Sequence, residues 1–335
     1  MRATIKDIAK RVGVSSSLVS LYLNNRPLAA RIAESTKRKI DAAVKELNYA
    51  PSATARALRK GKSKTLGLVV ADLCSDYSSF FAQTLLDECS RYGYQLLIGI
   101  THYDPEEEKR VLANLIARQT DGIFYALRLF PADFLKSLNL QNYPILQLSS
   151  AAPEFQSMEL AREEALKQCA GKLYEYGCRK VVVAHESWAN ILEKELEAYG
   201  IKIVGGRYAT TSDDFPYLND TPPDAVASGI YARLLRARCR ELGIPMPYLC
   251  YSYSLPSDFI DDPRVIAVTV SDYKTRLSGI VSRMIRMLEN PKEPVAHLKE
   301  PVRLMSLDEL REYRCAQLKD PYYEPFRIRM RYEGN

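Results

Sequence analysis

The chain is poor in the residues that carry most enzyme chemistry. Its seven cysteines (Cys74, Cys89, Cys169, Cys178, Cys239, Cys250 and Cys315) are an odd number, and no two stand at C-x-x-C spacing. Most lie in apolar segments, which marks them as reduced core thiols rather than metal ligands or disulfide partners. Only three histidines occur, His102, His185 and His297, far apart and without an H-x-x-x-H pair, so no metal site is expected. Nowhere do eighteen apolar residues run unbroken, which excludes a membrane-spanning helix. The opening MRATIKDIAKRVGV has neither an apolar stretch nor a small-residue cleavage site, and a cytoplasmic protein is expected. Gly61-Lys62-Ser63 suggests a phosphate loop, but Arg56 stands where G-x-x-x-x-G-K requires glycine, and no strand precedes it. There is no Ser/His/Asp elbow and no glycine-rich nucleotide fingerprint. An enzyme would have only stray carboxylates for acid-base work, and neither catalysis nor a cofactor is expected.

Charge is present, and it is unevenly placed. Residues 1–62 hold fourteen Lys and Arg against four Asp and Glu, a net of +10 within a chain of +6, leaving −4 for the other 273 residues. A basic head on a mildly acidic body fits a polyanion, because each phosphate neutralised releases a counterion. A merely solvated helical surface would give the same count, so the pattern of the head must decide.

That pattern is helical. Ile5, Ile8, Ala9 and Val12 fall at helical spacing behind Thr4 as a cap, and Gly13 supplies a stop. A second helix begins at once with Ser15 as its cap, turning Val19 and Leu23 inward. A third runs from Glu34 to Leu47 and buries Ile40, Val44 and Leu47. Two short helices about a tight Gly-containing turn outline a helix-turn-helix. The second, SSLVSLYL, carries no charge in a head full of cations. A helix lying in the major groove puts its first turn against base edges, where short side chains reach and charged neighbours supply affinity. Ser16, Ser17 and Leu21 lie within about 140° of one another at 3.6 residues per turn and are the base-reading candidates.

After Asn48-Tyr49, Pro51 opens a short Ala-rich helix ending near Gly61, too short to hold alone in water and suited to folding on DNA. From Thr65 the pattern becomes strand, helix, strand. Apolar runs at 65–71, 94–100, 121–127 and 143–149, then 180–184, 224–228, 248–252 and 265–270, alternate with helical stretches, Asp104-Pro105 opening one of them. These are two parallel α/β lobes in series, with a ligand cleft expected between them.

The stretches TIKDIAKRVGVSSSLVSLYLNN and KRKIDAAVKELNYAPSATARALRKGKSKTLGLVV resemble the N-terminus of the lactose-repressor (LacI/GalR) family of bacterial transcription regulators, over residues 3–72. Downstream the similarity is weaker and rests on strand-helix order with ARQTDGIF and VTVSDYKTRLSGIVSRMI. The resemblance implies an α/β protein with an N-terminal helix-turn-helix DNA-binding domain (1–49) and a hinge helix (50–63). A two-lobed, periplasmic-binding-protein-like sensor domain with parallel sheets follows, its N-lobe 64–150 and 272–293, its C-lobe 151–271 and 294–318, before a basic, aromatic tail (319–335). It implies a homodimeric regulator, most simply a repressor, on a pseudo-palindromic operator in double-stranded DNA, controlled by a small-molecule effector. Helix 2 would read bases through Ser16, Ser17 and Leu21. Thr4, Ser15, Ser20, Asn24 and Thr36 match phosphate-contacting positions. The hinge, with Ala55, would enter the minor groove and wedge Leu58 into a base step.

The chain departs from the family at several points. Leu18 stands where Thr is usual, and Leu21 where Arg is frequent, so a guanidinium that could read guanine is missing from the helix. A few extra residues around Arg26-Pro27-Leu28-Ala29 lengthen the loop before helix 3. In the sensor the Arg, the Asn-Asp pair and the later Asp typical of sugar binders are absent, with Ser228-Gly229 near the Asn-Asp position and Tyr253 near that of the Asp. This points to a non-sugar effector, an aromatic-lined sugar site, or none. Ligands meet the loops at the carboxyl ends of parallel strands, which selects Asp72, Asp76, Tyr77, Phe80, Arg128, His185, Trp188, Tyr253 and Asp272, with Trp188, the sole tryptophan, as a stacking surface. A solute-binding protein without a DNA role shares the two-lobe outline but not the basic head. No leucine heptads near the C-terminus suggest pairing of dimers.

Overall fold

The computed structural model describes residues 3–24, 26–50, 61–73, 76–126, 143–148, 155–183, 188–204, 218, 222–227, 232–251, 262–269, 273–306, 308–309 and 311–312. It forms two compact units, Met1–Ser63 and Lys64–Asn335.

In the first unit, α1 (Ile5–Val12) starts where the sequence says it must. Thr4 Oγ1 accepts from the Asp7 N–H at 3.4 Å while the Asp7 carboxylate accepts from the Thr4 N–H at 2.8 Å, a reciprocal capping box. Gly13 ends the helix in the left-handed region at φ 76°, which a side chain would strain. Ser15 then caps α2 (Ser16–Leu23), its Oγ accepting from the Leu18 N–H at 3.2 Å. A 3-10 turn over Pro27–Arg31 leads to α3 (Glu34–Glu46). Ile8, Val19 and Ile40, one from each helix, are fully buried with Ala9 and Ala43 against them. Each of these large side chains contributes roughly 1.5–3 kcal/mol.

Among the described residues the second unit holds two six-stranded sheets. The first is built from β1 (Thr65–Val70), β2 (Gln95–Ile100), β3 (Gly122–Tyr125), β4 (Ile145–Gln147), β5 (Gln156–Ala161) and β11 (His297–Pro301), in the order β11-β5-β4-β3-β1-β2 and parallel throughout. The helices α4 (Asp76–Arg91), α5 (Pro105–Ala117) and α9 (Tyr273–Glu289) belong with it. Phe81 and Leu85 of α4 meet Leu277, Ile280 and Met284 of α9 in its larger core. The second sheet has β6 (Lys180–Val183), β7 (Lys202–Ile203), β8 (Ala225–Ala227), β9 (Tyr248–Tyr251), β10 (Val265–Thr269) and β12 (Arg303–Met305), in the order β12-β10-β9-β8-β6-β7, antiparallel only at β10/β12. The helices α6 (Glu163–Glu175), α7 (Ala189–Ala198) and α8 (Ala232–Leu242) accompany it. All eight sequence-read strands are present, each ending within one or two residues of its expected limits.

The lobe limits need correction. The strands β5 and β11 fall inside the expected C-lobe, 151–271 and 294–318, yet both pair within the first sheet. The reason is polar. Gln156 and Ser157 are buried, and no apolar alternation announces the strand. The Gln156 side-chain carbonyl accepts from Arg283 Nη2 at 2.6 Å and from the Ala296 N–H at 2.9 Å, while its amide donates to Pro294 O at 2.9 Å. Backbone pairing and side-chain satisfaction, not hydrophobicity, place the strand there. The chain therefore passes between sheets at Arg162, between β10 and α9, and at Val302. An exposed ion pair, Lys299 to Glu163 at 3.0 Å, straddles the first and third passages.

Five cysteines are described, Cys89, Cys169, Cys178, Cys239 and Cys250, and all are free and buried. Among the described residues no helix is long and apolar enough to cross a membrane.

Candidate nucleic-acid interface and effector site

The outward face of α2 is built by the pattern that buries Val19. With that side chain inside, Ser16 and Ser17 stand exposed at the first turn, and Leu21 lies half-buried one turn on. The three line a crevice of about 460 Å³ together with Ser20, with Ile5 and Lys6 of α1, and with Arg26 before the 3-10 turn. The structure thus brings all three base-reading candidates to one surface. Sequence reading missed Ile5, Lys6 and Arg26. Arg26 was legible as an inserted cation, but its placement beside α2 needed the fold.

Of the five expected phosphate-contacting side chains, those of Thr4, Ser15, Ser20 and Asn24 are engaged locally. Thr4 Oγ1 also donates to Asp7 at 2.7 Å, and Ser15 Oγ is the α2 cap. Asn24 Nδ2 donates to the Ser20 carbonyl at 2.6 Å, so these two positions are tied to each other. Thr36 is half-buried in the first turn of α3. The hydrogen bonds from Thr4 hold the Asp7 carboxyl below its ordinary range. Tyr22 of α2 donates its hydroxyl to Asp41 of α3 at 2.8 Å, and this bond to a carboxylate pushes the phenol up. Arg11 and Glu46 join α1 to α3, with Nε at 3.1 Å from both carboxylate oxygens. Ala55 and Leu58 lie outside the described residues.

For the effector site, both sheets show the doubly wound order, with switch points between β1 and β3 and between β6 and β8. Asp72 stands just past β1 and accepts from Tyr103 Oη at 3.1 Å. Tyr103 was not foreseen. It sits in a tight turn after β2 in which the Asp104 N–H bonds the Thr101 carbonyl at 2.9 Å and two successive non-glycine residues are left-handed, His102 at φ 52° and Tyr103 at φ 59°. Such strain collects at functional sites. The Thr101 hydroxyl of this turn is fully buried and has no hydrogen-bond partner among the described residues.

Trp188 is a correction. It is 1% exposed, packed with Val183, Leu192 and Leu196 in the second lobe's core, where its ring offers no free face for stacking. Arg128, His185, Tyr253 and Asp272 lie outside the described residues, as do the side chains of Asp76, Tyr77 and Phe80 and the tail 319–335. Among the described residues no group of three or more His, Cys, Asp or Glu could hold a metal ion.

Comparison with known proteins gives these arrangements a context. Residues 4–52 match the sequence model of the bacterial regulatory proteins, lacI family. The chain is 42% identical over 125 residues to the sucrose operon repressor of Klebsiella pneumoniae, 37% of each chain. It is 31% identical over 181 residues to catabolite control protein A of Staphylococcus aureus, 53% of this chain and 54% of that one. These matches span 37% and 54% of the curated relatives' lengths. The lac repressor dimer bound to operator and the anti-inducer ONPF superposes with a TM-score of 0.73 at 19% identity, covering 91% of this chain and 98% of that one. A periplasmic binding protein/LacI transcriptional regulator from Alkaliphilus metalliredigens, complexed with D-xylulofuranose, gives 0.60 at 16%, covering 72% and 97%. The fold is that of the lac repressor: a helix-turn-helix head and a periplasmic-binding-protein-like body.

Proposed function

From residues 4–52, which belong to the lacI family of bacterial regulatory proteins, we infer that the chain is a sequence-specific DNA-binding transcriptional regulator, a repressor acting as a homodimer on a pseudo-palindromic operator. One observation carries the reading. The first turn of a capped, charge-free helix is exposed on a head of net +10, with Lys6 and Arg26 flanking it. Short side chains at its centre suit base edges, and the many cations of the head as a whole suit the phosphate backbone, as groove recognition requires. The curated relatives named above are themselves regulators rather than enzymes, and no catalytic role is assigned to this chain. Work on an operator is the ground for reading the protein as cytoplasmic.

The homodimer is supported by the edge of the first sheet. Strand β2 lies at that edge, and Leu97 and Ile98 are each 37% exposed on it. A strand that stands at the sheet's edge among the described residues and carries exposed apolar side chains is suited to a second copy.

For regulation, a small molecule at the carboxyl ends of the strands, near Asp72 and Tyr103, would alter the balance between arrangements of the lobes about the three chain crossings. The first lobe holds the start of the body firmly, the Lys64 N–H donating to Asp121 at 3.0 Å, and the head is joined to it through residues 51–63.

The test is fluorescence anisotropy of the full-length protein on short palindromic duplexes between 50 and 200 mM salt. A loss of affinity on the order of 10³–10⁵ is expected for 6–10 phosphate contacts, and a flat response would remove the DNA reading.

A further inference from the structure

The recognition helix lacks a cation, yet the crevice in front of it does not. Among the described residues lining that crevice, the positive charges are Lys6, on α1, and Arg26, on the segment between α2 and the 3-10 turn. Arg26 is held by its backbone rather than its side chain. Its N–H donates to the Leu21 carbonyl at 3.2 Å, its carbonyl accepts from the Ala29 N–H at 2.7 Å, and Pro27 after it restricts the local conformation. The guanidinium is exposed and makes no ion pair or hydrogen bond among the described residues, so it is free to meet a ligand. It is anchored at Leu21, the position on α2 from which an arginine would otherwise project.

We propose that Arg26 is a base-reading residue: the inserted turn supplies from outside the helix the guanidinium that Leu21 does not, and pairs it with a guanine in the major groove beside the bases met by Ser16 and Ser17. The inference rests on the DNA-binding reading above and deepens it. Three physical facts favour base over phosphate. The head carries fourteen cations in its first 62 residues, so phosphate neutralisation does not depend on this one. The α2 wall of the crevice is made of Ser16, Ser17, Ser20 and Leu21, three of them short, which leaves depth in front of the helix for a base edge. A guanidinium presents two parallel N–H groups that match guanine O6 and N7, the commonest specific contact in the major groove.

The experiment selects, with full-length protein, from a pool of duplexes with a randomised core, using wild type, Arg26→Ala and Arg26→Lys in parallel. Wild type should enrich a guanine at one fixed position in each half-site. Arg26→Ala should lose that preference alone. Its affinity for the selected duplex should fall roughly tenfold to a hundredfold, and its affinity for the duplex changed at that position should stay near the wild-type value. Arg26→Lys should keep the charge but not the two-pronged contact, and should discriminate less than wild type. Uniform weakening on every duplex, with the salt slope reduced by about one and the selected sequence unchanged, would assign Arg26 to a phosphate and overturn the proposal. So would a variant indistinguishable from wild type. Failure of the wild type itself to enrich any sequence would instead bring down the DNA-binding reading, with this proposal included. Because Arg26 is exposed and its backbone makes the local bonds, the variants are expected to unfold with wild-type midpoints, and matched unfolding curves establish this.

Discussion

The hydroxyl of Tyr22 and the carboxylate of Asp41, 2.8 Å apart, join the exposed second helix of the head to the third helix behind it. This bond holds the orientation at which Ser16 and Ser17 face outward, while the apolar contacts through Val19 hold the helix in place.

Removing the bond with Tyr22→Phe should lower stability by about 0.5–1.5 kcal/mol in urea unfolding near neutral pH. The effect has a predictable pH dependence. Tyr22 titrates above its ordinary 10.0 in the folded state. Its stabilisation is therefore fully present below the unfolded value and is lost as pH rises through the folded one. The gap between wild type and Tyr22→Phe should stay constant from neutral pH to about 9 and close above 10; a gap that widened there would show the bond is not the cause.

The capping box behaves in the opposite sense. Asp7 is held below its ordinary 3.8 by Thr4, so its contribution is present above that value and fades as pH falls through the lower, folded one. Thr4→Ala should cost about 1 kcal/mol at neutral pH, in the usual range for a lost cap. Acid titration followed by circular dichroism should show Asp7→Asn approaching wild type at the lowest pH.

The β2 edge offers a test of assembly. Leu97→Lys with Ile98→Lys puts two charges on the exposed apolar edge while leaving the strand's pairing with β1 intact. Sedimentation should show monomer where wild type sediments as dimer. A dimer that survived would move the interface elsewhere.

Gly99 and Val111 record how closely α5 lies on β2. A Cβ at position 99 would fall 2.2 Å from Val111 Cγ1. Gly99→Ala should destabilise by about 1–3 kcal/mol through overpacking, and Val111→Ala in the same chain should recover part of that loss. Additive losses in the double-mutant cycle would mean that the two sites do not share the space.

The buried thiols should be inert. Burial pushes Cys89 up to about 12 and Cys178 to about 11. Alkylation of the native protein at pH 8 should leave both unmodified by mass spectrometry, with full reaction in denaturant. Rapid native labelling of Cys89 would contradict its place between α4 and the sheet.

The sequence alone determined the local chemistry. Thr4 and Asp7, Gly13, Ser15 and the periodic Ile8, Val19 and Ile40 specify three helices and one outward serine face, because capping and amphipathic spacing act over a few residues. The eight apolar strand runs and their alternation with helices were legible for the same reason, and they implied parallel sheets. Only the tertiary structure decided what depends on partners distant in the chain. The strand around Gln156 and Ser157 carries buried polar groups that are stable there only because Arg283, Pro294 and His297 come to meet them, and so its lobe could not be read in advance. Trp188 looks like a ligand platform until the core that encloses it exists. Arg26 reads as one cation among many until the fold sets it beside Leu21, since where a side chain stands is fixed by the packing of elements that the chain brings together from far apart.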